Sequence, residues 1–274
     1  MCIAFIRVAR TKLDRYKLIL LNNRDEQLHR PTAAMHWHDG ILSGVDEQDV
    51  ARGTWMGLNE RGRVGMMLSI TQPQSSKDAS ASSRGGILNA FLNAEDTSEM
   101  MESLSETAHK YNGFQLVGIE RNKDELYDVK TLTNQQVDTI EVCKWDNEFH
   151  VISNSPPSKP YKKAEYGKQL LQDRLQNSNK MTVEEVFEEL IGIGTDKTAC
   201  YPDSQLQLQT ANSDEYNLPL SSIFIKYPEG TREYGTRCHT LLAIDQNDRV
   251  SVLERRLLPL ESTWHDTRFE FVLA

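Results

Sequence analysis

The sequence predicts an α+β protein built from two packed, mainly antiparallel sheets with helices outside them. Strand-like segments recur along the whole chain, whereas helical patterns are gathered in its middle, so strands and helices do not alternate. The first segment, residues 2–6, is apolar on both faces, which is typical of a strand inside a sheet. The chain of 274 residues shows no internal repeat and no clear linker, so we expect one domain over residues 1–274.

Further strands follow from short runs rich in apolar and β-branched residues. Residues 16–22 form the second predicted strand, and residues 59–62 join two more strands as a hairpin turn. Residues 73–83 are rich in Ser, Gln and Asp and predict a loop. The predicted strands after residue 23 are 55–58, 64–69, 114–119, 126–129, 137–142, 151–154, 223–226, 240–244, 250–257 and 269–272.

Two helices have a recognisable start. Asp96 and Glu99 form a capping pair, and the apolar residues after them recur at helical spacing up to Tyr111. Thr182 and Glu185 form a capping box, and an amphipathic stripe follows it up to Ile191. A weaker helical pattern covers residues 164–176.

Composition narrows the class of protein. A net charge of −9 argues against nucleic-acid binding, which needs a basic surface to displace phosphate counterions. The four cysteines lack zinc-ligand or haem-attachment spacing and are expected to be free thiols in a reducing compartment. No apolar run reaches the ~20 residues that span a bilayer, so we expect a cytoplasmic protein that is not membrane-spanning.

Cys2 is the first candidate for chemistry. Removal of Met1 would leave a thiol and an α-amine on one residue, and such an amine can accept the proton of its own thiol. The alternative is that Cys2 is a small buried core residue, as free cysteines often are.

Seven short motifs in order along the chain carry a family resemblance. They are Met1-Cys2, Asn23-Arg24-Asp25-Glu26-Gln27, Gly53-Thr54-Trp55-Met56-Gly57, Ser83-Arg84-Gly85, Asn112-Gly113-Phe114, Ser153-Asn154 and Tyr234-Gly235-Thr236-Arg237. Together they resemble the NRDE family of transport and Golgi organisation proteins. The resemblance implies haem movement out of mitochondria and storage organelles, lipid and acyl-CoA handling, and effects on Golgi organisation and secretion. It also implies mitochondrial or Golgi association.

This family in turn resembles N-terminal-nucleophile hydrolases of the choloylglycine type, which implies a four-layer αββα fold. It also implies a catalytic set of Cys2, Arg24, Asp25, Asn154 and Arg237. In that scheme Arg24 lowers the thiol pKa, Asp25 holds the amine, and Asn154 donates to an oxyanion. Arg24 and Asp25 are adjacent, so on a regular strand they would face opposite ways. Both can reach Cys2 only if a turn or bulge lies there.

Five further residues are candidates for ligand binding, each with a structural alternative. Asn23 and Glu26 belong to the charged run, which can also be a salt-bridged turn. Trp55 can be a ligand platform or a core residue, and Arg84 can pair with a phosphate or propionate or be solvated. His239 follows Cys238, and on a strand one of the two can reach the pocket.

Four functions remain open at this point. The first is a haem-trafficking protein that holds haem in a cleft near Cys2, with no other metal. The alternatives are an amide or thioester hydrolase that uses Cys2, an acyl-CoA- or lipid-binding protein, and a scaffold of the secretory pathway whose pocket is inactive. The sequence identifies no axial haem ligand and leaves enzymatic activity and oligomeric state open.

Overall fold

The computed structural model describes residues 1–258 and 261–274, which include thirteen strands and six α-helices. Two groups of residues form compact units. The first unit contains Met1–Arg30, Asn147–Ser155 and Lys159–Leu273, and the second contains Pro31–Asp146, Pro156–Ser158 and Ala274. The expectation of a single domain stays a prediction.

The first unit is built on a six-stranded sheet with the order β10-β1-β2-β11-β12-β13. All neighbouring strands in it are antiparallel. Strand β1 lies between β10 and β2, and all six of its residues are buried, so the expected interior position of the first strand is confirmed. The strands are β1 (Ile3–Val8), β2 (Tyr16–Gln27), β10 (Phe149–Ile152), β11 (Tyr234–Asp245), β12 (Arg249–Leu258) and β13 (Thr263–Val272).

Helices α3 (Lys162–Leu175) and α4 (Val183–Gly194) cover one face of this sheet. Leu171 and Leu190 belong to the same buried cluster as Phe5 and Leu21, which shows that the helices and strands share one core. The predicted capping box is present: Thr182 and Glu185 bond reciprocally at the start of α4. Two short helices, α5 (Ser204–Thr210) and α6 (Asp214–Leu220), complete the unit.

The second unit is a seven-stranded antiparallel meander in chain order, β3 to β9, with two helices. Phe91 lies so close to the backbone of Gly65 and Gly118 that a Cβ at Gly118 would be 2.5 Å from its ring. The elements are β3 (Thr32–His38), β4 (Ile41–Asp46), β5 (Met56–Asn59), β6 (Val64–Ser69), α1 (Gly85–Asn93), α2 (Thr97–Thr107), β7 (Phe114–Arg121), β8 (Tyr127–Thr133) and β9 (Val142–Trp145).

The mainly antiparallel α+β class is therefore confirmed, while several boundaries differ from the prediction. The strand expected at 137–142 is wrong: β9 begins at Val142, and Gln136 adopts a positive φ of 60° in the turn before it. Residues 223–226 form no strand, because their backbone meets β11 only at the isolated bridge between Lys226 and Gly235. None of the described helices has the length and apolar character needed to cross a bilayer.

Candidate active site

The site begins where β1 and β10 meet. The ladder pairs Ala4 with Ile152, so the residues just beyond that register, Cys2 and Asn154, come together. The backbone N–H of Cys2 donates a hydrogen bond to Asn154 Oδ1. This bond fixes the orientation of the amide, because Oδ1 is the accepting atom and Nδ2 is the donating side.

Asp25 lies on β2 and contacts the same end of the sheet. Its backbone carbonyl accepts hydrogen bonds from the Met1 α-amine and the Tyr234 hydroxyl, both at 3.1 Å, and lies 4.0 Å from Cys2 Sγ. Thr236 Oγ1 donates to Asp25 Oδ1 at 2.6 Å. Asp25 Oδ2 is buried and has no hydrogen-bond partner among the described residues. The site therefore contains one carboxylate oxygen that remains available for a donor.

The ladder between β2 and β11 is irregular beside Arg24 and Asp25. On β11, Cys238 faces Arg24 and Thr236 faces Asp25, so Arg237 is the extra residue of a bulge. This bulge lies on β11, so Arg24 and Asp25 remain successive residues of β2 that leave opposite faces of the strand, and the expectation that both reach Cys2 stays a prediction. Arg237 itself is buried and donates from Nη1 to the carbonyl oxygens of Gln27 at 3.0 Å and Arg30 at 2.6 Å.

Arginines gather on this part of the sheet. In the ladders, Cys238 pairs with Arg24 on one side and with Arg256 on the other, so these three side chains form a row across β2, β11 and β12. Burial, together with the charges of Arg24 and Arg256, lowers the pKa of Arg237 to about 10. We call Arg24, Arg237 and Arg256 the arginine cluster.

Lys163 is a residue of this site that the sequence analysis missed. It lies in the first turn of α3, is 1% exposed, and donates from Nζ to the carbonyl of Ser222 at 3.1 Å. Burial lowers its pKa, and attraction to Asp25 and the Cys2 thiolate opposes this. A signal was present in the sequence, because Lys163, Gly167 and Leu171 recur every four residues along the buried face of the helix.

Burial is the largest influence on the pKa of the Cys2 thiol. Burial raises the pKa of the Cys2 thiol, and the nearby N-terminal amine and, more weakly, Arg24 lower it. Arg24 therefore acts in the expected direction without producing a low thiol pKa. Burial also lowers the pKa of the Met1 amine and raises that of Asp25, whose anion is stabilised by the amine and Lys163.

Asn23 and His239 form a separate hydrogen-bonded pair. Asn23 Nδ2 donates to the Gly194 carbonyl at 2.8 Å, so Asn23 Oδ1 accepts from His239 Nδ1–H at 2.7 Å. His239 Nε2 is left with a lone pair and no hydrogen-bond partner among the described residues. Burial lowers the pKa of His239 to about 3, so the ring is neutral.

A neutral imidazole such as that of His239 can serve as an axial haem ligand, but neighbouring side chains enclose this ring. The ring stacks on Trp264 with centroids 5.0 Å apart and lies 6.1 Å from Phe224. The ring is 0% exposed, so a haem iron could bond to Nε2 only after the surrounding side chains moved.

The other predicted ligand-binding residues have structural contacts. Glu26 is half-buried on β2, and its Oε1 accepts from the Gln27 N–H at 2.9 Å. Trp55 and Arg84 belong to the second unit. The Trp55 indole lies on Gly44, where a Cβ would be 2.6 Å from the ring, and Arg84 donates to the Gly113 carbonyl at 2.7 Å.

Two solved structures of one hydrolase resemble this chain in fold. A mutant of a conjugated bile acid hydrolase from Clostridium perfringens superposes with a TM-score of 0.51 at 9% identity, covering 98% of this chain and 97% of that one. A second variant of that enzyme gives a TM-score of 0.50 at 8% identity. These likenesses confirm the expected N-terminal-nucleophile-hydrolase-like fold.

Sequence comparison identifies relatives across animals. The mouse Transport and Golgi organization 2 homolog is 29% identical over 281 residues, which cover 100% of this chain and 99% of the relative. The Drosophila melanogaster Transport and Golgi organization protein 2 is 28% identical over 93% of this chain and 92% of its own length. The family model described as Transport and Golgi organisation 2 matches residues 1–259. The chain therefore belongs to the Transport and Golgi organisation 2 family.

Proposed function

We propose that the first unit binds the anionic end of an amphipathic molecule, haem or an acyl-CoA, beside Cys2. The protein would carry this ligand between organelles and so contribute to Golgi organisation and secretion. The names of the relatives support the Golgi role. Movement of haem from mitochondria or storage organelles, with consequences for lipid metabolism, is part of this proposal.

The arginine cluster is the observation that carries the proposal. Arg24 and Arg237 are 5% and 2% exposed, and Arg256 lies beyond Cys238 in the same row. Guanidinium groups gathered in this way can bind a carboxylate or a phosphate through charge-assisted, bidentate hydrogen bonds. Haem propionates and the phosphates of coenzyme A both present such groups.

Titration of the purified protein with haemin and with palmitoyl-CoA tests this proposal. We expect Arg256→Gln to weaken binding of either probe about 10- to 100-fold, because a hydrogen bond to a charged group contributes about 1.5–3 kcal/mol. The Soret band reports haemin, and intrinsic fluorescence reports palmitoyl-CoA.

Arg174→Gln is the matched control. Arg174 lies on α3, pairs with Glu189 at 2.7 Å and is 40% exposed, so its loss should leave both affinities unchanged. Equal affinities of the wild type and Arg256→Gln for both probes would refute the proposal.

A hydrolase that uses Cys2 is the second candidate, and the partnerless Asp25 Oδ2 favours it. Hydrolysis of the Met1–Cys2 peptide bond would convert the Cys2 nitrogen into an α-amine, which Asp25 Oδ2 could hold as an ammonium. The amine would take the thiol proton, and the thiolate would add to the carbonyl carbon of an amide or thioester. Asn154 Nδ2 would donate to the resulting oxyanion.

The remaining steps release the leaving group and regenerate the Cys2 thiol. The carbon–nitrogen or carbon–sulfur bond breaks, and the leaving group takes the proton from the Cys2 ammonium. Water then hydrolyses the acyl-thioester on Cys2, which releases a carboxylic acid and restores the thiol.

Intact mass spectrometry followed by acyl-probe labelling tests the second candidate. We expect Met1 to be absent and an electrophilic acyl probe to label the wild type but not Cys2→Ala. Cys143→Ala is the control, because Cys143 is an exposed thiol in the second unit and its loss should leave labelling of Cys2 intact. A retained Met1, or equal labelling of Cys2→Ala, would exclude this mechanism.

A further inference from the structure

Strand β13 ends the six-stranded sheet and is the most exposed strand of the first unit. It pairs with β12 over its full length of 10 residues, from Thr263 opposite Leu258 to Val272 opposite Arg249, with no bulge. A long regular edge strand presents a row of backbone donors and acceptors to any strand that can pair with it. The outer edge of β13 is therefore a template for one more strand.

We infer that a second copy of this chain pairs with β13 in antiparallel fashion, about a two-fold axis that passes through Thr267. The sequence of the strand around this residue is self-complementary. In that register Asp266 faces Arg268 of the partner subunit, and the symmetry repeats the pair on the other side of the axis. Opposite charges directly across a ladder stabilise it, so both pairs would favour this register.

The neighbouring symmetric registers are unfavourable, which makes the choice specific. An axis through Asp266 would place that carboxylate opposite its own copy. An axis through Arg268 would oppose two guanidinium groups and would also place Asp266 opposite Glu270 of the partner subunit. Like charges directly opposite each other destabilise a ladder, so the charges select the register through Thr267.

The existing contacts of Asp266 fit this arrangement. Arg255 on β12 faces Asp266 and donates to both of its oxygens, at 2.8 and 2.7 Å. In the dimer Asp266 would lie between Arg255 of its own chain and Arg268 of the partner subunit, so one carboxylate would pair with two guanidinium groups. Asp266 and Arg268 are both exposed in the described chain, so neither side chain must leave a buried site to form the pair.

Sedimentation velocity over a range of protein concentrations tests the inference. We expect the wild type to form dimers, and Arg268→Asp to raise the dimer dissociation constant at least tenfold. The double exchange Asp266→Arg with Arg268→Asp restores opposite charges and should recover much of the affinity. Arg174→Asp is the control for a charge reversal away from the strand, and thermal unfolding shows that each variant is folded.

Cross-linking tests the register directly. In a Cys143→Ala background, Thr267→Cys should cross-link to its own copy with a short bis-maleimide, whereas Glu270→Cys should not. A wild type that stays monomeric at its highest soluble concentration would overturn the inference. Dimerisation unaffected by Arg268→Asp would overturn it equally, as would a double exchange that fails to restore dimers.

Discussion

The two units have similar architecture but bury different kinds of polar group. In the described part of the second unit, every buried polar side chain is uncharged. These residues are Thr32, Ser43, Thr54, Asn59, Thr97, Gln115, Thr131, Thr133 and Asn134. The first unit buries uncharged polar side chains too, but it also buries acidic, basic and imidazole side chains. They are Arg7, Lys17, Arg24, Asp25, His150, Lys163, Asp203, Arg237, His239 and Glu254.

This difference is the reason why we place the proposed site in the first unit. A buried charge is costly unless it is paired, so each one needs an explanation. Arg7 and Lys17 have one, because they form ion pairs of 2.6–2.9 Å with acids of their own unit. Asp25 and Lys163 lie beside Cys2 with their pKa values shifted towards the neutral forms by burial, which is typical of active sites.

The largest effect on stability is expected in the apolar core of the second unit. Phe91 is fully buried and its ring lies against Gly65 and Gly118. Phe91→Ala should lower the free energy of unfolding by about 3–5 kcal/mol, because it removes a large apolar side chain and leaves a cavity. Chemical denaturation measures this. A loss below about 1 kcal/mol would mean that the second unit does not depend on this packing.

A smaller loss of stability is expected when a buried charge with a structural role is removed. Arg7 bonds Asp14 at 2.7 Å and Glu148 at 2.9 Å, and its side chain is 4% exposed. Arg7→Met should destabilise the protein by about 2 kcal/mol, less than a fully buried pair because both acids are partly solvated. Haemin and palmitoyl-CoA affinities should stay unchanged. Arg174→Met, which removes an exposed ion pair, should cost at most about 1 kcal/mol.

The sequence predicts the strands of the first unit better than its site. Residues 2–6 are apolar over their whole length and residues 18–21 form an apolar run, and such runs indicate buried strands without knowledge of their neighbours. Strand β3 lacks an apolar run because only Thr32 and Met35 are buried in it, and α1 lacks a helix-forming start because it begins with Gly85 and Gly86. The pairing of Asn154 with Cys2 depends on a ladder between residues that are 152 positions apart. No local pattern encodes that distance, so here the family resemblance supplied the residues.

A pH dependence of stability should arise from His239. Its pKa falls from 6.5 to about 3 on folding because of burial. Between these values the unfolded chain binds a proton that the folded protein excludes, so this contribution to stability is present above pH 6.5 and is lost as the pH falls towards 3. The loss should approach about 1.4 kcal/mol per pH unit. Arg255 and Asp266 also act on the ring, in opposite directions.

Unfolding midpoints at several pH values test this slope. His239→Gln removes the titrating ring, so the variant should lose stability less steeply between pH 6.5 and pH 4 than the wild type. Parallel curves for the two proteins would show that other groups cause the acid sensitivity.

Among these substitutions, one at Asp25 should change the free energy of unfolding least, while it lowers the rate of Cys2 acylation. Burial raises its pKa, so the charged form is unfavourable in the fold, while the amine and Lys163 partly compensate. Asp25→Asn removes the charge and keeps an oxygen for Thr236, so the free energy of unfolding should change by less than about 1 kcal/mol. The rate of Cys2 acylation in the processed protein should fall at least ~10-fold, because no carboxylate then orients the amine.

The reverse exchange in the second unit serves as a comparison for the effect on stability. Asn134→Asp should cost about 2 kcal/mol or more, since Asn134 Nδ2 donates to the carbonyls of Ala108 and Tyr111. If Asp25→Asn destabilises the protein as much as Asn134→Asp, the Asp25 carboxylate is a structural group like those of the second unit.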